Sequence, residues 1–183
     1  MRWDELFADL EAQLAAGEAV ALAVEVDQEQ RRETGTTTLV QRLRAALGQE
    51  LVLGVGDQVV RGRLVAVGPD WVLTGGAVQT LVPCAAVGWV QGLGRGADTA
   101  PPGHVWSRLG LRSALRGLAR DRAAVQMHVS AGPAVSGTID RVGADHLDLA
   151  VHPPDEPRRA AAVTAVRTIA LDAVRAVVRA DPT

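Results

Sequence analysis

Arg108, Arg112, Arg116 and Arg120 recur at every fourth position, the spacing that stacks side chains along one face of an α-helix. At the helical rise, guanidinium groups so spaced stand about 6 Å apart. Such a ladder suits a row of phosphates, which it would neutralise without reading the bases. Arg122 extends the row, and Trp106 stands near its start, where an indole could stack on a base. Leu111, Ala114, Leu115 and Leu118 form the adjacent apolar face, so 105–122 is expected to be an amphipathic helix. Two other readings of the stripe stay open: a dock for an acidic protein segment, and an ordinary solvated helix face.

Charge is distributed to match. The chain of 183 residues has a net charge of −2, yet residues 1–33 hold nine acids against three arginines, and 34–183 hold sixteen arginines against twelve acids. Within 95–122 there are six arginines and two aspartates, so the basic character is local. Lysine, asparagine and tyrosine are absent. With abundant Ala, Val and Gly this looks like the codon bias of a GC-rich genome, as in actinobacteria, in which arginine also takes the surface role of lysine. The lack of asparagine removes one of the side chains best suited to bidentate base reading.

No catalytic, metal or cofactor site is expected. His104, His128, His146 and His152 are scattered without metal-ligand spacing. Asp145, His146 and Asp148 invite a metal or acid–base reading, but strand alternation would put Asp145 opposite His146, and Asp145 suits a turn. Cys84, the only cysteine, lies in an apolar run and reads as a small buried hydrophobe in a reducing compartment. Residues 92–98, GLGRGAD, are glycine-rich but open into prolines, which reads as linker and not as a phosphate loop. The opening MRWDELFADLEAQL carries acids throughout, so no signal peptide is expected. No run of about 18 apolar residues exists to span a membrane. The expectation is a cytoplasmic protein without enzymatic activity.

The elements that must hold these residues follow from periodicity. Trp3, Phe7, Leu10 and Leu14 make a helical seam, and residues 1–33 are expected as an acidic N-terminal helix. Leu39, Leu43 and Leu47 mark a short helix closed by Gly48. From Gln49 the texture is β: short runs rich in valine, punctuated by Gly, Asp and Pro, give way to a Gly/Pro linker at 93–104 and return after Arg122.

Those two β regions repeat each other. Residues 60–73 and 135–148 align without gaps, matching Gly62 with Gly137, Gly68 with Gly143 and Asp70 with Asp145, and 81–90 aligns with 168–177. A mid-strand glycine marks a bend or close backbone approach, and Gly-x-Asp suits a tight reversal. The order of helix, strand, G-x-(L/I)-x-x-V-G-x-D, strand and hydrophobic pair resembles the Sm-like family, which includes bacterial Hfq. The resemblance implies two tandem five-stranded barrels, 34–92 and 105–183, each led by a short helix, with Gly62 and Gly137 at bends and Asp70 and Asp145 at turns. It does not carry over the family's nucleotide pocket, whose asparagine is missing here. The chain also resembles actinobacterial proteins assigned to Fis-type transcription regulation, although no helix-turn-helix is legible in it. Two functions are expected to compete: RNA or DNA backbone binding through Trp106 and the arginines of 108–122, and homo-oligomeric assembly through edge strands near 78–82 and 163–171.

Overall fold

The computed structural model describes residues 35–76, 78–100, 103, 108–153, 159 and 161–179. The expected N-terminal helix and Trp106 lie outside the described residues. The chain divides into two units at Thr38/Leu39, and the second, Leu39–Thr183, holds every element below.

Valine-rich alternation builds ten strands: β1 (Glu50–Val55), β2 (Gln58–Val67), β3 (Trp71–Gly75), β4 (Thr80–Pro83), β5 (Val87–Gln91), β6 (Ala124–Val129), β7 (Val135–Val142), β8 (His146–Val151), β9 (Ala165–Ala170) and β10 (Val174–Arg179). Helix α1 (Leu39–Ala45) precedes β1 and helix α2 (Leu111–Arg120) precedes β6. Short 3-10 turns, Cys84–Ala86 and Leu171–Ala173, follow β4 and β9. Among the described residues no helix is long and apolar enough to cross a membrane.

All ten strands join in one antiparallel sheet of order β5-β1-β2-β3-β4-β10-β6-β7-β8-β9. This overturns the expectation of two tandem Sm-like barrels, and with it that family assignment. The cause is visible at the middle of the sheet. β4 does not end the N-terminal half: Leu81 pairs with Val177 and Thr80 with Val178 of β10, and the Arg179 N–H donates to the Gln79 carbonyl at 3.0 Å. The sheet thus runs through from one half to the other and stays open at β5 and β9. The segment 78–82, expected to be a free edge, is consumed inside the chain.

The halves share strand order and local irregularities within that single sheet. Bulges interrupt the pairing between Leu64 and Ala66 in β2 and between Ile139 and Arg141 in β7. Gly62 and Gly137 occupy matching strands, and a Cβ on either would run into a backbone carbonyl, that of Gly75 or of Ala150. Glycine is what lets the neighbouring strand approach so closely. Asp70 and Asp145 sit in matching turns, where their carbonyls accept the N–H of Cys84 at 2.8 Å and of Leu171 at 2.7 Å.

The two apolar cores interlock across the middle of the sheet. One gathers Leu43, Leu51, Leu53, Leu64 and Val82 but also Ala176 of β10. The other gathers Leu115, Met127, Ile139, Leu147 and Val177 but also Trp71 and Leu81 of the N-terminal half. Every residue of β4 is buried, as expected of a strand covered on both faces. Each such aliphatic side chain contributes about 1.5–3 kcal/mol when fully buried, so the shared strands tie the halves into one folding unit.

The Gly/Pro segment after β5 is held to α1: the Arg42 guanidinium donates to the Gly94 carbonyl at 2.7 Å, and the Asp98 N–H to the Gln41 carbonyl at 3.0 Å.

Candidate nucleic-acid interface

Helix α2 is shorter than its periodicity suggests. It begins at Leu111, after Gly110 in extended backbone at the N-cap position, so Arg108 precedes the helix instead of lying within it. Leu111 and Leu115 are buried, and Ala114 and Leu118 pack against the same core. That apolar stripe fixes the helix rotation and turns Arg112, Arg116 and Arg120 to the exposed side. From Arg112 to Arg120 the row is about 12 Å long at the helical rise.

The N-terminus of α2 receives its cap from elsewhere in the sheet. Gly110 offers no side chain, and Asp70 Oδ1 in the β2–β3 turn accepts the Leu111 N–H at 2.7 Å. A carboxylate there also meets the positive end of the helix dipole. Next to it, Trp71 Nε1 donates to the Leu109 carbonyl at 2.7 Å. The N-terminal half therefore clamps the basic helix of the C-terminal half. From its local sequence Asp70 suits only a turn. The signal was the lack of any capping side chain at Gly110, but its remedy lies 41 positions away.

The arginines of the row are lightly engaged. Arg112 reaches the Ala144 carbonyl at 3.4 Å, and Arg120 stands 3.9 Å from Asp121 with both side chains mostly exposed, a pair worth little in water. Arg108 and Arg122 are exposed on either side of the helix. Arg120 sits in the last turn, where a cation is favoured. Beside the helix an apolar cleft of about 210 Å³ opens between Trp71, Leu81, Leu118 and Val177, with Arg179 and Gln79 also lining it.

The other chemical candidates separate. Asp145 lies in the turn and not on the strand, so alternation does not part it from His146; the two bond at 2.8 Å. That hydrogen bond, then the charge of the imidazole, holds the Asp145 carboxyl below its ordinary value. Asp148 is engaged with Arg141 at 3.2 Å and with Thr168 at 2.8 Å. Among the described residues no three His, Cys, Asp or Glu side chains converge as metal ligands would. His152 is buried, bonded through Nε2 to Thr138 and through Nδ1 to the Pro153 carbonyl, both at 2.8 Å. His128 bonds Gln58 at 2.6 Å, linking β6 to the start of β2. Burial, and then the charge of Asp70, push the Cys84 thiol up to about 11, a poor nucleophile at neutral pH.

No known protein family matches the chain, and no characterised protein matches it in sequence.

Proposed function

We propose that the protein is a non-enzymatic regulator that attaches to nucleic acid through the sugar-phosphate backbone, with α2 as the contact element. The observation that carries this reading is the exposed row of Arg112, Arg116 and Arg120 on a helix whose opposite face is buried and whose start is held by Asp70. Clamped in this way, the guanidiniums meet a polyanion without the backbone having to order first, which lowers the entropic cost of binding. No acid interrupts the sequence between Asp98 and Asp121, so the charged side chains of α2 are all arginine despite the net charge. Contacts of this kind carry no base information, and low sequence specificity is part of the reading. A reducing, cytoplasmic setting suits the single thiol. The test is the salt dependence of binding to short DNA and RNA when the three arginines become glutamine. Docking of an acidic protein segment on the same row would leave that dependence untouched.

A further inference from the structure

We infer that a second copy of this chain is the partner of the open sheet edges, with β9 of one copy pairing with β5 of the next in the register of the internal β4–β10 joint. The inference is independent of the nucleic-acid reading.

The internal joint shows what such a contact looks like in this chain. β4 brings the edge, β10 pairs with it, and α2, which precedes β6 beside β10, covers the seam. Leu111 of α2 packs in the core that includes Trp71 and Leu81. Each component has a counterpart at the outer edges. β9 stands before a 3-10 turn as β4 does, and β5 stands after one as β10 does. α1 leads the half that contains β5, as α2 leads the half that contains β10.

Burial separates the joined set from the open set. All of β4 is buried, whereas β9 buries only Ile169. Ala176 of β10 is 1% exposed and its counterpart Trp89 of β5 is 49% exposed. At the starts of the helices, Leu111 is 8% exposed and Leu39 is 37% exposed. Val166, on the outer edge, reaches 60%. One operation, repeating the internal joint between copies, would cover Trp89 and Leu39 together. Separate surface accidents would not be expected to fall on matching positions.

The backbone is oriented for it. Leu171 donates to the Asp145 carbonyl, continuing the register in which Ile169 faces Leu147. Alternation then turns the amides of Val166 and Thr168 away from β8. Counting from the 3-10 turns, Thr168 corresponds to Leu81 and Val90 to Val177, so Val90 should face Thr168 across the new joint and Gln91 should face Arg167. Because the two edges differ, the contact is head-to-tail, and it closes into a ring or extends as a filament according to the rotation per copy.

The test is the solution mass of the full chain at micromolar concentration and above, with variants chosen on the exposed Gln91–Arg167 register. Gln91→Arg sets like charges opposite each other and should weaken self-association about twofold to fivefold. Adding Arg167→Glu to it should restore or exceed the parent's association. Thr168→Pro removes the outward amide that would face Val90, on an edge strand, where proline is tolerated, and should shift the mass to monomer with an unchanged circular dichroism spectrum. A parent that stays monomeric, or an assembly equally strong in all these variants, would overturn the inference.

Discussion

Asp70 and Leu111 lie 41 positions apart, yet the Asp70 carboxylate accepts the Leu111 N–H at 2.7 Å and closes the N-terminus of the basic helix. One hydrogen bond thus connects the turn of the N-terminal half to the element that carries the exposed arginines. The matching aspartate, Asp145, directs its exposed carboxylate to half-buried His146 instead.

Asp70→Ala should therefore destabilise the protein by about 1–2 kcal/mol, the range for loss of a helix cap, and Asp70→Asn, which keeps an acceptor oxygen, by less. Asp145→Ala should leave the unfolding midpoint close to the parent's. Urea unfolding of the three variants decides it, and equal effects of Asp70→Ala and Asp145→Ala would contradict the capping role.

Gly62→Ala and Gly137→Ala each push a Cβ into a carbonyl of the neighbouring strand. The strands can separate only by giving up ladder hydrogen bonds, so each change should cost about 1–3 kcal/mol. Gly94→Ala meets open space and serves as the control, expected to lie within about 0.5 kcal/mol of the parent. Thermal unfolding compares them directly.

The His128 imidazole is held below its ordinary value of 6.5, chiefly by burial and against the pull of Asp57. The folded state therefore favours the neutral ring that bonds Gln58. Its contribution is fully present above 6.5 and is lost as pH falls from there through the lowered value, because the unfolded chain takes up the proton first. His128→Gln should flatten the decline in stability between about pH 7 and about pH 5. A parent with no decline in that interval would argue against it.

The strand regions were legible from residues and their spacing. The valine alternation located them, and the matched glycines and aspartates marked corresponding close strand approaches and turns. The joint of β4 with β10 was not, because nothing local in Thr80–Pro83 tells an edge strand from a central one; both read as short valine runs. What decides it is that Leu81 finds Val177, a contact between segments far apart in the chain. The arginine row was legible because its period is the helix's own, while its start was misplaced: Gly110 ends the extended approach, so Arg108 stands before the first turn. Asp145 meets His146 because it lies in the turn, where strand alternation does not apply.

The most direct measurement of the proposed function is fluorescence anisotropy of labelled oligonucleotides against salt concentration, for the parent and for Arg112→Gln/Arg116→Gln/Arg120→Gln. Each exposed change should cost at most about 0.5 kcal/mol of stability, so binding is compared between folded proteins. If the row holds phosphates, losing three contacts should lower the magnitude of the log-affinity against log-salt slope by about 2.7 on duplex DNA and about 2.1 on single strands. The loss should be the same for unrelated sequences, since phosphate contacts position without specifying. A triple variant that binds with the parent's affinity and slope, or a parent with no affinity for nucleic acid at low salt, would contradict the reading of α2 as a backbone-binding element.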